Sequence, residues 1–130
     1  MPRRFYSTNS PDRLVDLHEA VLRSLPPDNG LYVPERIPVL GEEFWANWRG
    51  WTFPKLAFEI VCPLLDKSVP DDVLGEIVRG AITFDAPLVQ LGEQLHILEL
   101  FHGPSLAFKD FGARFMARLM GWLTRDDDRE

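Results

Sequence analysis

Five turn-forming residues in a row, Pro26-Pro27-Asp28-Asn29-Gly30, end any helix that reaches them. Proline cannot continue a helix, because it lacks an N–H and its ring collides with the preceding turn, while glycine accepts positive φ. Whatever precedes residue 26 must therefore close before the break, and whatever follows must start afresh. Ahead of it, Phe5 to Ser7 reads as a short strand. Asp16 and Glu19 have the spacing of a capping box opening a helix, with Leu17, Ala20, Val21 and Leu25 on one face. After it, Gly30 to Pro34 reads as a short buried extended piece.

Further along, FWANWRGWTF (Phe44 to Phe53) brings three of the four tryptophans together, an aromatic mass that is expected to plug a core. Leu56, Ile60, Leu64 and Leu65 recur at helical spacing. So do Val73, Ile77 and Val78, with Pro70, Asp71 and Asp72 suiting a first helical turn. Leu88 to Leu91 and Leu95 to Leu100 flank Gly92-Glu93, a glycine-first pair compatible with a tight hairpin turn. A last helix is expected to bury Ala113, Met116, Leu119, Met120 and Leu123. The fold class that follows is mixed α/β, mostly helical.

Length allows one compact domain and falls short of most two-domain enzymes, since 130 residues bury only roughly two thirds of the unfolded surface. Fourteen basic against twenty acidic residues leave a net charge of -6, which repels phosphate backbones and argues against a nucleic-acid partner. No apolar run is long enough to span a bilayer, and the basic start MPRR leads into no apolar core, so neither a membrane segment nor a secretory signal is read; cytoplasm is the expected location. Cys62 is the single cysteine, expected as a small buried side chain, and it rules out an internal disulfide or a multi-thiolate metal site. The charged stretch Arg125 to Glu130 reads as a solvated tail.

The chain lacks a nucleophile elbow, a phosphate-binding glycine loop ending in Lys-Ser or Lys-Thr, and paired histidines at ligand spacing. His18 and His96 are scattered, whereas His102 lies in a Gly-Pro turn beside a polar cluster, Leu100 to Phe115. There a strand is expected to end at Leu100 and Ser105 to cap the last helix, with Lys109 near its start. The positive field at a helix N-terminus and desolvation by Phe108 and Phe111 would both favour the neutral, nucleophilic amine that a Schiff-base lysine needs. The plain alternative is a surface lysine paired with Asp110.

The stretch ELFHGPSLAFKDFGARFMARLMG, Glu99 to Gly121, closely resembles the cofactor-lysine segment of threonine synthases. The resemblance continues upstream, in order, with Tyr6-Ser7-Thr8, Glu19-Ala20-Val21-Leu22, Asn29-Gly30-Leu31-Tyr32-Val33-Pro34 and Phe84-Asp85-Ala86-Pro87-Leu88. Two departures are visible: Ser105 replaces a usual threonine, and Ser10 a common glycine. The resemblance implies an N-terminal domain over residues 1–94. Residues 95–130 would then be the first elements of the catalytic domain of a fold-type II pyridoxal-phosphate enzyme.

It implies pyridoxal 5'-phosphate held on Lys109, with Phe108 and Asp110 supporting it. His102, Ser105 and Arg114 would be substrate-binding residues, with no metal. The implied substrate is O-phosphohomoserine, converted with water to threonine and phosphate. Nothing in residues 1–130 supplies a glycine-rich nest for the cofactor phosphate, so the remainder of a catalytic domain is the expected partner, and the chain alone is expected to be catalytically silent. Two other readings compete: a sister phospho-lyase or dehydratase using the same cofactor, and a non-catalytic interaction module docking through its tryptophans.

Overall fold

Phe5, Tyr6 and Ser7 form the middle strand of an antiparallel sheet in the computed structural model, which describes residues 2–126. Strand β1 (Phe5–Ser7) pairs with β2 (Ser10–Val15) on one side and β3 (Tyr32–Pro34) on the other. The sequence reading did not foresee β2, because Pro11 and Asp12 are poor strand formers. Two conditions admit them. β2 is an edge strand, and its register slips between Tyr6 and Ser7, so that Ser7 faces Ser10 while Tyr6 faces Leu14. An edge strand at a bulge tolerates proline.

Helix α1 (Leu17–Arg23) opens as its spacing predicts, with the Asp16 carboxylate accepting the Glu19 N–H at 2.8 Å. Only half of the capping box forms, since the Glu19 carboxylate receives Arg13 and Arg23 instead. Ser24, at φ 63°, ends the helix and leaves Leu25 63% exposed, so Leu25 is not on the buried face. In the turn that follows, it is Asn29 that takes positive φ, at 60°. Gly30 has a different duty. It is buried against β1, and a Cβ there would run into Ser7 Oγ and lie 3.0 Å from Asn9 N.

The aromatic segment is a correction to the sequence reading. It forms a short helix α2 (Glu42–Asn47) and a 3₁₀ turn (Trp48–Gly50) that bury no residue, and Trp45 is 59% exposed. Phe44 packs edge-on against Trp45 and Trp51, with centroids 5.0 and 5.4 Å away, so the cluster satisfies itself at the surface.

The core lies between three later helices. Helix α3 (Phe53–Leu65) and helix α4 (Asp71–Ala81) pack together, and α5 (Lys109–Leu123) covers α4 from the other side. Leu65, Val69, Leu74, Ile77, Val78 and Leu119 are buried together with Leu17 of α1. Each fully buried Leu or Val contributes about 1.5–3 kcal/mol before entropy is charged against it.

Helix α5 turns only part of the expected face to the core: Leu119 and Leu123 meet it as expected, joined by Phe115 and Trp122, while Ala113 is exposed and Met116 stays 43% exposed. Pro63 sits in the last turn of α3, where the carbonyls of Pro63 and Leu64 lack helical partners. Arg3 donates to both, at 2.7 and 2.9 Å, tying the N-terminus to the core. Cys62 is half-buried, not fully buried as expected, with its thiol 3.6 Å from an Asp71 carboxylate oxygen. Burial and the neighbouring Asp71 charge push that thiol up, away from thiolate chemistry.

The hairpin joins β4 (Leu88–Gln90) to β5 (His96–Leu98) in antiparallel register, Gln90 facing His96. Its loop spans 91–95 and uses no positive-φ glycine, so the tight glycine-first turn is replaced by a wider one in which Leu91 and Gly92 both donate to Leu95 O. No helix among the described residues is long and apolar enough to cross a membrane. Residues 127–130 of the charged tail lie outside the described residues.

Leu74→Ala should cost about 2–5 kcal/mol in urea unfolding, because Leu74 is 1% exposed and its cavity cannot collapse freely. Val39→Ala, at a position 95% exposed, should stay within about 0.5 kcal/mol of the parent.

Candidate active site

Lys109 is the first residue of α5, and the loop before it runs from the end of β5 through Gly103 and Pro104. Entry into the helix is tight. Asp110 N donates to Ala107 O at 3.1 Å and Phe111 N to Phe108 O at 3.4 Å, both three-residue steps of 3₁₀ type. Leu106, a non-glycine residue at φ 58°, turns the chain within the loop, and its N–H goes to Gly103 O at 3.0 Å.

Ser105 does not cap the helix by accepting its N–H groups, as the sequence had led us to expect. The N-terminal position is Phe108, with no side-chain cap. Ser105 instead gives both of its donors to Asp110: the backbone N–H at 2.8 Å to one carboxylate oxygen and the hydroxyl at 2.7 Å to the other. Asp110 is buried, 7% exposed, a rare state for a carboxylate and one that requires such partners. The Ser105 hydroxyl, followed by backbone N–H groups and the charge of Arg114, holds its carboxyl below the usual range against the opposing effect of burial. Gly103 is buried directly beneath, where a Cβ would stand 2.6 Å from Asp110 Cβ.

Lys109 itself is exposed, and so is Phe108, at 63%. The desolvation expected from flanking phenylalanines is therefore not provided by this chain. Phe111 packs elsewhere, against Phe53 and Phe84 at 5.7 and 4.7 Å. Lys109 opens on a cleft of about 500 Å³ walled by Leu100, Phe108, Phe111 and Ala113. A second cleft, of about 600 Å³, shares Leu100 and Phe111 and is lined by Trp48 and Trp51. Thus the tryptophan segment, though not core, reaches the neighbourhood of the lysine cleft.

His102 lies outside that wall. Its Nε2 is 2.7 Å from a Glu99 carboxylate oxygen and its ring stacks on Phe101 at 4.8 Å. Arg114 donates to Ala81 O and Gly80 O, each at 3.0 Å, and to Thr83 Oγ1 at 3.1 Å. Those carbonyls belong to the last turn of α4, so the guanidinium acts as a cap joining α4 to α5. The structure thus brings Lys109, Phe108, Asp110 and Ser105 into one loop and helix start, and places His102 and Arg114 in separate contacts. Sequence reasoning missed Gly103 and Leu106. Gly103 carried a signal, a glycine before proline, whereas the positive φ of a leucine carries none.

These residues fit one end of pyridoxal phosphate. An exposed amine beside an apolar wall suits an aldehyde and a flat ring. The phosphate end has no cradle near Lys109 among the described residues: the Ser105 N–H is taken by Asp110 and the Leu106 N–H by Gly103 O.

Comparison with known proteins gives a consistent result. A family model for the threonine synthase N terminus matches residues 4–82. Threonine synthase of Haemophilus influenzae is 38% identical over 121 residues, covering 93% of this chain and 28% of that relative. In structure, the threonine synthase of Escherichia coli superposes with a TM-score of 0.89 at 32% identity, over 95% of this chain and 29% of that one. A pyridoxal-phosphate-bound threonine synthase of Brucella melitensis gives 0.86 at 31% identity, over 95% and 28%. The chain therefore spans little more than a quarter of the relatives it matches.

Two outcomes follow from the geometry. Arg114→Ala should destabilise the chain by about 1.5–3 kcal/mol in denaturant unfolding, the range for hydrogen bonds from a charged group. For Asp110, a folded carboxyl held below its unfolded value stabilises the fold above about pH 4 and loses that contribution as pH falls through the folded value. Asp110→Asn should flatten that part of the acid limb when unfolding midpoints are measured against pH.

Proposed function

This chain belongs to the threonine synthase family, and on that footing we propose that Lys109 carries pyridoxal 5'-phosphate in the whole protein. The reaction served is the conversion of O-phosphohomoserine and water to L-threonine and phosphate. The observation that carries the reading is the placement of Lys109: an exposed amine on the first turn of α5, at the mouth of an apolar cleft, within the stretch Glu99 to Gly121. Bound there, the cofactor supplies an electron sink for negative charge formed at substrate carbon. The protein's share is to hold the group and to move protons at Lys109 Nζ.

We assign Phe108 and Leu100 to the wall against which the ring would lie, and Asp110 to support of the lysine. Ser105 keeps a hydroxyl where a substrate could meet it only if Asp110 releases it, so its role here is in the loop. His102, held by Glu99, and Arg114, spent on α4, serve structure in this reading and not the substrate phosphate. Residues 1–94 form the N-terminal domain and 95–130 begin the cofactor domain, with the boundary in the hairpin loop; the location is cytoplasmic.

The remainder of the catalytic domain must provide the phosphate cradle and cover the open side of the cleft. Leu88, Leu95, Leu98, Phe101, Leu106 and Phe108 are each between 49% and 74% exposed. A two-stranded hairpin with such exposed apolar side chains is marginal by itself and calls for a covering partner.

Borohydride trapping of pyridoxal phosphate on the whole protein, followed by peptide mapping, tests the proposal. A pyridoxyl group on Lys109 that is absent in Lys109→Ala is the expected result, and turnover of O-phosphohomoserine in preference to other hydroxylated amino acids separates a threonine synthase from a sister lyase or dehydratase. The 130-residue chain alone should show no turnover. A whole protein that takes no label would overturn the reading in favour of an interaction module.

A further inference from the structure

We infer that Asp110 is a positioning residue for Lys109: its buried carboxylate, clasped by both donors of Ser105 over Gly103, sets the rotation of the first turn of α5 and so the direction in which Lys109 leaves the helix. The inference rests on the reading of Lys109 given above. It gives the support of Lys109 by Asp110 a physical form: the carboxylate fixes the lysine's direction from behind.

Successive side chains on a helix leave the axis about 100° apart. With Asp110 pinned inward at 7% exposure, its neighbour Lys109 is carried round to the open side, where the cleft of Leu100, Phe108 and Phe111 lies. A first helical turn has no such restraint by default, because it lacks backbone partners on its N-terminal side and frays. Here the clasp supplies one. Ser105 N–H and Oγ engage the two carboxylate oxygens separately, at 2.8 and 2.7 Å, which fixes the carboxylate plane as well as its position.

The loop is shaped to allow this. Only a glycine at 103 leaves room, since a Cβ would stand 2.6 and 2.8 Å from Asp110 Cβ and Cγ. Leu106 accepts a left-handed backbone at φ 58°, a strained state for a leucine that persists only when its surroundings impose it. Both carboxylate oxygens are occupied by Ser105, so the group is committed to the loop. Placing a carboxylate in the first turn also suits the helix dipole, which would otherwise face the Lys109 ammonium alone.

The test uses the whole protein with Asp110→Ala, Gly103→Ala, Ser105→Ala and Ser105→Thr. Gly103→Ala is the informative variant, because it keeps the Asp110 charge and the Ser105 hydroxyl while displacing the clasp. Two measurements need no cofactor: hydrogen exchange at the Ser105 amide, and the acylation rate of Lys109 relative to Lys55 in the same sample. Asp110→Ala and Gly103→Ala should each speed Ser105 exchange by about tenfold or more, the factor for one lost hydrogen bond, and shift the Lys109:Lys55 ratio in the same direction. Ser105→Thr should match the parent and Ser105→Ala should fall between.

With the cofactor-loaded protein, Asp110→Ala and Gly103→Ala should lower kcat about tenfold or more while KM for O-phosphohomoserine stays within about twofold, the signature of misplaced chemistry and not of weakened binding. Unchanged Ser105 exchange in both variants would overturn the clasp. Faster exchange with an unchanged Lys109:Lys55 ratio and unchanged kcat would overturn its positioning role. A parent protein that turns over no O-phosphohomoserine would sink the functional reading alone, and exchange and acylation would still decide the clasp.

Discussion

Helix α4 carries Leu74, Ile77, Val78 and Ala81 on a face too broad for one neighbour to cover, and α3 and α5 must close on it from two sides. Because Leu74 and Val78 are each only 1% exposed, neither covering helix can shift without opening a cavity. The positions of the other elements follow from that requirement. The sequence between α4 and α5 runs through the hairpin and the Gly103–Phe108 loop and returns to the end of α4, where Phe111 of α5 packs 4.7 Å from Phe84. Arg114 then locks the arrangement by capping the α4 carbonyls that end the helix.

Placing α5 in this way also places Lys109. The face that meets the core is set by Phe115, Leu119 and Trp122, and the first turn of the same helix inherits that rotation. Lys109 therefore points away from the core because the far end of its helix is packed, and the Asp110–Ser105 clasp holds the near end in the same phase. Rigid support beneath an exposed amine is the usual arrangement for a group that must meet a bound partner in one geometry. The N-terminal sheet contributes at a distance. Arg3 ties it to the end of α3, and the Ser7, Asp28 and Gly30 contacts hold the tight turn that the Pro26–Gly30 break demands.

The exposed apolar residues have two separate explanations. Those of the hairpin and the loop before α5 include Phe108, which walls the Lys109 cleft, and the relatives this chain matches are more than three times as long. Those of the tryptophan segment are satisfied mostly by one another, through edge-on aromatic pairs and through Arg49 stacked 5.0 Å from the Trp48 ring. The first set needs a cover. The second is already a small surface cluster, and its edge contributes Trp48 and Trp51 to the neighbouring cleft.

Wherever the determining forces are local, the elements could be read directly. Asp16 three residues before Glu19 gave the start of α1, Pro70 before Asp71 and Asp72 gave the start of α4, and the Leu, Ile and Val periodicities showed that α3 and α4 are helices. Lys109 at the start of the last helix was legible for the same reason, and its long motif pointed to the family. Forces that act between segments distant in sequence were not legible. Strand β2 exists because β1 offers it an edge, overriding the poor propensity of Pro11 and Asp12. The buried face of α5 was only partly legible, with Leu119 and Leu123 right and Phe115 and Trp122 missed, because helical periodicity offers several candidate stripes and only contact with α4 selects among them. The tryptophans were misplaced for a related reason, since hydrophobicity favours burial but does not say which surface has room. The sequence by itself thus determined helices α1, α3, α4 and α5, the Asp16 cap and the place of Lys109 at the start of α5, because those depend on neighbours within a turn or two. Only the tertiary structure decided that Ser105 serves Asp110 and that Arg114 serves α4, because a side chain with several donors goes to whichever unsatisfied group the packing brings within reach.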